Sequence, residues 1–224
     1  MTTANPPDPA VVSQPAGGRR QRPPLRAVGR FVDARVTQLQ RGYLERRPAA
    51  VATLAQLRRG VGKPVGAVAE LWQATLEGVP LPPRYGDAAT DNERAAYTAL
   101  TLYALHQQSR GEPMHQPGQS IGTAARVLSR RAPSEDATRR RFEALGTAST
   151  FEEVTHHARG LVSQFRTYGV PLDYGQLADQ LVWLLRPATA DRVRLSWGRD
   201  FYRPAINDQP TAAAAAAQPT GEAS

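Results

Sequence analysis

Two residue types that often act as nucleophiles, acid–base groups or metal ligands are absent or rare in this chain: cysteine is absent, and there are only four histidines. Its 224 residues contain no cysteine, which excludes disulfides, thiolate metal ligands and cysteine nucleophiles. The longest apolar run near the C-terminus, residues 181–185, is too short to cross a bilayer, and the first residues lack the apolar segment of a signal peptide. We therefore expect a cytoplasmic protein without a membrane partner.

Histidine is also scarce, and its spacing does not suit a metal site. None of the four histidines pairs at i, i+4 or has a carboxylate at metal-ligand spacing. Of the neighbours His156 and His157, we expect one to be buried beside Ala158 and the other exposed. The segment GVGK at 60–63 lacks the spacer and the Ser/Thr of a phosphate-binding loop, and Pro64 follows it. We therefore expect neither an enzyme nor a bound metal or cofactor.

Arginine, by contrast, is abundant. The chain carries 28 Lys and Arg against 20 Asp and Glu, for a formal net charge of +8, and all but one of the 28 are arginine. Residues 16–60 alone hold eleven arginines, with only Asp33 and Glu45 as acids, a local charge of +9. This balance favours polyanionic partners, and guanidinium groups suit both phosphate contacts and stacking on bases.

Apolar residues recur at helical spacing along the chain, and no run alternates with the period of a strand. We therefore predict an all-α fold of eight or nine helices in two packed helical bundles. The three tryptophans fall at core positions of this pattern, so we expect them in the core rather than stacked on bases. The predicted helices cover residues 25–47, 49–59, 65–77, 90–108, 120–132, 134–146, 150–169, 173–186 and 189 onward.

Local signals place several helix ends. Two Thr-x-x-Glu capping boxes, at residues 90–93 and 150–153, mark helix starts, and Ser134 is a further N-cap candidate. Gly146 and Gly169 are expected to end their helices in the left-handed conformation, which glycine adopts without steric cost.

Composition divides the chain into four parts. Residues 1–24 are rich in Pro, Gly and Ala, and residues 204–224 contain six consecutive alanines. Both ends bury too little apolar surface to offset the entropy of ordering, so we expect them to be disordered. A polar loop with Gly and Pro near residue 115 then separates an N-terminal bundle, residues 25–115, from a C-terminal bundle, residues 116–203.

One stretch, residues 120–146, concentrates positive charge on two predicted helices. Its six arginines are candidates for nucleic-acid contact: Arg126, Arg130, Arg131, Arg139, Arg140 and Arg141. A second interpretation stays open for part of this charge. Glu135, Asp136 and Glu143 lie four residues from Arg139 or Arg140, a spacing that allows them to neutralise a solvated helix face.

Six segments together form a recognisable order along residues 31–203. They are LAQLRRG (54–60), NERAAYTAL (92–100), SIGTAARVLSRR (120–131), RRRFEAL (139–145), QLADQLVWLL (176–185) and WGRDFYR (197–203). In order and spacing they resemble the CasB family, the small subunit of the type I-E CRISPR surveillance complex, Cascade.

This resemblance implies an all-helical, non-catalytic protein that pairs with a second copy and contacts the large subunit and the helical backbone subunits of the complex. It also implies a basic groove that steadies guide RNA, target strand and displaced single-stranded DNA during R-loop formation in antiviral defence. By resemblance, Arg94 and Arg159 lie where the family places DNA-contacting basic residues. Further positions carried over in the same way are Arg58, Arg59, Arg140, Arg141 and Arg186.

Two other functions also fit the composition. A free-standing helical DNA-binding regulator or nucleoid-type protein would read bases with a recognition helix, yet the candidate helices present arginines with few Asn, Gln or Ser neighbours. A structural adaptor would ignore nucleic acid even at low salt. A footprint at one defined duplex sequence favours the regulator, whereas co-purification with a short RNA and helical backbone subunits favours the CRISPR interpretation.

Overall fold

The computed structural model describes residues 22–202, and the only regular elements in that range are helices. The predicted all-α fold is therefore confirmed for these residues, and none of their helices is long and apolar enough to cross a membrane. The predicted tails fall outside the described range, except for residues 22–24. The helices are α1 Ala27–Leu44, α2 Pro48–Arg59, α3 Trp72–Leu76 (after a 3-10 turn, Ala69–Leu71), α4 Asp91–Gln107, α5 Ile121–Arg131, α6 Glu135–Thr147, α7 Phe151–Tyr168, α8 Tyr174–Leu184 and α9 Pro187–Tyr202.

The predicted capping boxes begin two of the long helices. The Thr90 hydroxyl accepts the backbone N–H of Glu93, and the Glu93 carboxylate accepts the N–H of Thr90 at 2.8 Å. Thr150 and Glu153 repeat this exchange at the start of α7. Gly169 ends α7 with φ +62°, as predicted. These ends are set by side chains within three residues of the first turn, which explains why sequence alone places them.

Two helix predictions were wrong at their ends. α6 begins after its predicted cap, Ser134, but runs through Gly146 to Thr147, and Gly146 is not among the residues with positive φ. The helix predicted over 65–77 is reduced to the 3-10 turn and five residues of α3. Gly66, at φ +85°, holds the preceding segment in a turn that a helix cannot include.

The prediction of three core tryptophans is right for one of them. Trp197 is 1% exposed, and its indole N–H donates to Gln180 at 2.8 Å. Trp72 and Trp183 are 52% and 36% exposed. Trp72 lies over the turn before α3, where its indole N–H donates to the carbonyl of Gly66 at 3.1 Å. Apolar spacing marked a helix face but did not distinguish a buried face from one left uncovered by neighbouring helices.

Helix α8 lies at the centre of the body. It packs against α1, α4 and α9, and Leu177, Ala178 and Leu181 are fully buried along it. Helix α4 packs against both α7 and α8, and buried apolar side chains from α1 to α9 form one cluster. The division into bundles at residue 115 stays a prediction.

Helices α1 and α8 approach closely where both carry glycine. A Cβ on Gly29 would lie 2.7 Å from the carbonyl oxygen of Gly175 and even closer to the Asp179 carboxylate. That carboxylate accepts the N–H of Gly29 at 2.7 Å and the N–H of Arg26 at 2.6 Å, so it caps the first turn of α1 from another helix. Burial raises the pKa of Asp179, and the two N–H donors oppose the shift.

His106 is buried within the same body. Its Nδ1 lies 2.9 Å from the Tyr174 hydroxyl, and its ring contacts the rings of Tyr174 and Phe165. Burial lowers the His106 pKa from its ordinary 6.5 to about 3. The imidazole is therefore neutral in the folded protein at neutral pH.

We expect Gly29→Ala to lower the free energy of unfolding by about 1–3 kcal/mol, because the new methyl group cannot fit between α1 and α8. Gly160→Ala is the matched control. Gly160 lies on the exposed side of α7 with no atom within 4 Å of an added Cβ, so alanine should gain about 0.5–1 kcal/mol. Urea denaturation measures both. Equal effects of the two substitutions would contradict the close packing.

Acid should destabilise the fold through His106. A histidine whose folded pKa is lowered contributes stability above pH 6.5 that is lost as pH falls toward about 3. Between pH 7.5 and pH 5, this group alone should cost about 2 kcal/mol. His106→Phe should remove that part of the acid loss, while Tyr174→Phe, which keeps the imidazole, should retain it. Urea denaturation at both pH values tests this, and an undiminished acid loss in His106→Phe would contradict it.

Candidate nucleic-acid interface

A groove of about 480 Å³ lies between the loop 62–65, the start of α4 and the N-terminal half of α7. Helix α7 supplies one wall with residues 152, 155, 156 and 159, which share a face at i, i+3, i+4 and i+7. The opposite face of α7 is buried against α4, α5 and α6. Because the apolar stripe of α7 packs inward, its polar stripe faces the groove. The groove is lined by Lys63, Arg94, Phe151, Glu152, His156 and Arg159 among others.

Arg94 is held in place by two residues of the facing helix. Its guanidinium carbon lies 4.7 Å from the centre of the Phe151 ring, a cation–π contact. One of its nitrogens lies 3.1 Å from the Glu152 carboxylate, and the Arg94 side chain is 31% exposed. The predicted DNA-contacting Arg94 therefore lines the groove in contact with both Phe151 and Glu152.

Lys63 and Arg159 carry the charge of the groove that no carboxylate neutralises. Neither has an ion-pair partner among residues 22–202, and Arg159 is exposed. The loop backbone comes close to Arg159 at Gly62, where φ is +77° and an added Cβ would lie 3.5 Å from a guanidinium nitrogen. The structure thus brings together the two positions carried over most directly from the family resemblance, Arg94 and Arg159.

Three residues of the groove were missed by the sequence analysis: Lys63, Phe151 and His156. Lys63 lies in the segment GVGK, which lacks the pattern of a phosphate-binding loop, and Phe151 follows the Thr150 cap, so no motif marks either residue as a contact. The polar stripe at 152, 155, 156 and 159 was the available signal. His156 is exposed on it and His157 is half-buried, so one of the two is exposed as expected, but neither is fully buried.

The basic stretch 120–146 contributes no residue to this groove. Arg139 approaches Glu143 at 3.9 Å, as the self-neutralised interpretation predicted. Asp136 pairs with Arg139 at 2.7 Å, three residues away, and not with Arg140 as the four-residue spacing predicted. Arg131 donates to the carbonyls of Tyr168 and Gly169, where it caps the end of α7. The other candidate arginines of the stretch lie on α5 and α6, half-buried at one position and exposed at three: Arg126, Arg130, Arg140 and Arg141.

The remaining candidates lie at helix ends. Arg58 and Arg59 occupy the last turn of α2, half-buried and exposed respectively. The chain continues from them through Gly60, whose carbonyl accepts the Tyr97 hydroxyl at 3.0 Å, into the groove loop. Arg186 follows α8 and lies 3.6 Å from the Asp91 carboxylate, so its charge is partly countered.

One cluster has the residue types of a metal site. Ligand atoms of Asp33, His115 and Asp173 lie within 4.8 Å of one another, although these residues are far apart in sequence. The Arg22 guanidinium lies between the carboxylates, bonded to Asp33 and 2.7 Å from Asp173.

The hydrogen bonds of His115 fit this salt-bridge network. His115 Nδ1 accepts the N–H of Tyr174, and its Nε2 lies 3.1 Å from Asp33. Burial lowers the His115 pKa, which favours a neutral ring that donates to Asp33. The cation of this cluster is the arginine, and no metal is assigned to it.

The chain is similar in sequence and fold to known proteins. A sequence model of the family described as CRISPR-associated protein Cse2 matches residues 53–202. The crystal structure of CasB from Thermobifida fusca shares 43% sequence identity and a TM-score of 0.69, over 80% of this chain and 99% of that one. The chain belongs to the Cse2 (CasB) family.

Two further Cse2 structures, both from Thermus thermophilus, are similar in fold. CasB from that organism covers 78% of this chain and 97% of its own, with 24% identity and a TM-score of 0.57. A CRISPR-associated protein of the Cse2 family from the same species covers 79% and 99%, with 24% identity and a TM-score of 0.58. No curated protein matches the chain. The family match spans every residue of the Cse2 groove, from Gly62 to Arg159.

Arg22→Ala should destabilise this Cse2 chain by about 3 kcal/mol, because it leaves the fully buried Asp173 carboxylate without its cation. Arg47→Ala, which breaks an exposed pair with Glu45, is the control and should cost less than about 1 kcal/mol. Urea denaturation measures both. If the two variants lost equal stability, the buried network would not hold the N-terminal segment.

Proposed function

We propose that this Cse2-family chain is the non-catalytic, nucleic-acid-binding small subunit of a type I-E CRISPR Cascade complex. It would steady the guide RNA–target heteroduplex and the displaced single strand during R-loop formation in antiviral defence. Its protein partners would be the large subunit, the helical backbone subunits and a second copy of itself. The supporting observation is the groove, in which Lys63 and Arg159 lie beside Arg94 and have no carboxylate partner among residues 22–202.

The charge pattern suits a strand held by its backbone. Phosphates attract unneutralised cations whatever the base sequence, and binding then depends on counterion release. Lys63 comes from a loop and Arg159 from a helix, and the two line one concave surface. A groove of this kind follows a single strand without reading base edges. In a guide-directed complex the sequence is read by base pairing, so the protein needs only shape and charge.

Further arginines extend this proposal beyond the groove. Arg140 has no ion-pair partner in the described part of the chain, and Arg141 donates only to the backbone carbonyl of Ala137. Both lie exposed on α6. Together with Arg58 and Arg59, they are the strongest candidates outside the groove for contact with a second strand or with the heteroduplex.

The groove can be tested through the salt dependence of binding. Lys63→Ala with Arg159→Ala should make the slope of log K against log salt for single-stranded DNA less negative by about 1.4, because each lost phosphate contact removes roughly 0.7. Fluorescence anisotropy of a labelled oligonucleotide between low and physiological salt measures the slope. Arg192→Ala, an exposed position on α9, is the control and should leave it unchanged. An unchanged slope in the double variant would remove the groove from the interface.

The same salt titration tests the exposed arginines of α6 independently of the groove. Arg140→Ala with Arg141→Ala should also flatten the slope, and an unchanged slope would remove α6 from the interface. Helicity measured by circular dichroism confirms that the fold is retained.

Purification of the tagged chain from native cells, followed by RNA sequencing, tests the complex itself. Recovery of a short RNA with helical backbone subunits supports the proposal, whereas a footprint at a single duplex sequence favours the DNA-binding regulator.

A further inference from the structure

We propose that Arg94 is a stacking platform for one unpaired nucleobase, with Phe151 beneath it and Glu152 at its edge. This inference rests on the proposed function, because it assigns a base-binding role within the same groove. It separates two tasks: Arg159 and Lys63 contact phosphates, and Arg94 contacts a base.

Two contacts locate the Arg94 guanidinium. Its central carbon lies over the Phe151 ring, 4.7 Å from the ring centre, and one of its nitrogens lies 3.1 Å from the Glu152 carboxylate. Arg94 keeps an exposed fraction of 31% and lines the groove. In this proposal the base stacks on the guanidinium from the groove, where Lys63 and Arg159 also lie.

The electrostatics favour a base over a phosphate at this position. The Glu152 carboxylate, 3.1 Å from the guanidinium, opposes the approach of a phosphate to Arg94. Stacking depends less on net charge, because a guanidinium is weakly hydrated and planar and attracts the faces of π systems. Lys63 and Arg159 have no such carboxylate, so the phosphate contacts fall to them.

Phe151 and Glu152 act as positioning residues. A free arginine side chain samples many rotamers, and ordering it on binding costs entropy. Here the ring and the carboxylate order it beforehand. Phe151 is itself the first residue of α7, directly after the Thr150 cap, so its backbone is fixed by the capping box. Tyr97 is buried with its hydroxyl bonded to Gly60. The exposed imidazole of His156 is a second planar group in the groove, and it meets the His157 ring edge to face at 5.3 Å between ring centres.

The test compares two single-stranded probes of equal length and phosphate number, oligothymidylate and its abasic counterpart. The full chain should bind the base-bearing strand at least about fivefold more tightly, since stacking of one base contributes roughly that factor or more. Phe151→Leu and Arg94→Lys should each reduce the ratio toward one. Arg94→Lys keeps the charge and removes the plane, so the salt slope should stay as in the unchanged protein. Trp183→Leu, which removes an exposed aromatic ring outside the groove, is the control and should preserve the ratio.

The outcomes distinguish this inference from the proposed function. Equal affinity of the unchanged protein for both probes, with a steep salt slope, would overturn the stacking platform and leave the groove as a phosphate site. A base preference that survives both Phe151→Leu and Arg94→Lys would also overturn it. Failure to bind either probe at low salt would contradict the proposed function itself. Thermal melts of each variant show whether it is folded, and Arg94→Lys, at the surface, serves if Phe151→Leu unfolds.

Discussion

The structure depends on two buried carboxylates that tie the N-terminal segment to the central helix. Asp179 caps α1 from within α8, and Asp173, before α8, meets Arg22 and accepts the N–H of Gly118 at 2.7 Å. A buried carboxylate without such donors would cost several kcal/mol, so each one permits few arrangements of its neighbours. Together they fix α1 and the connection before α5 against α8, and α4 packs against both α1 and α8.

The groove follows from that arrangement. Once α4 is held by α1 and α8, α7 packs along it through a buried stripe, and its polar stripe must face outward. The capping boxes of α4 and α7 then place Arg94 and Phe151, near the starts of their helices, side by side. A surface built on two packed helices and one glycine loop holds its charges at set positions, which lowers the entropy lost when a strand binds.

The number of arginines in the sequence did not indicate how much positive charge can attract a polyanion. Arg139 and Arg94 have carboxylate partners, and Arg131 and Arg35 donate to carbonyls at helix ends. Arg22 pairs with the carboxylates of Asp33 and Asp173. In a chain with a net charge of +8, many guanidinium groups therefore stabilise the fold. Cations without such partners, such as Lys63 and Arg159, are the ones whose electrostatic attraction to a polyanion is not already satisfied within the protein.

The sequence by itself determined the helical class, the starts of α4, α6 and α7 and the left-handed end of α7, because caps act within a few residues. It did not determine the true extent of α3, the exposure of Trp72 and Trp183, or the clustering of Asp33, His115 and Asp173. Nor did it place Arg94 beside Glu152, 58 residues away. Those features were decided by the tertiary structure, since burial and ion pairing depend on which helices meet, and that depends on the packing of the whole chain.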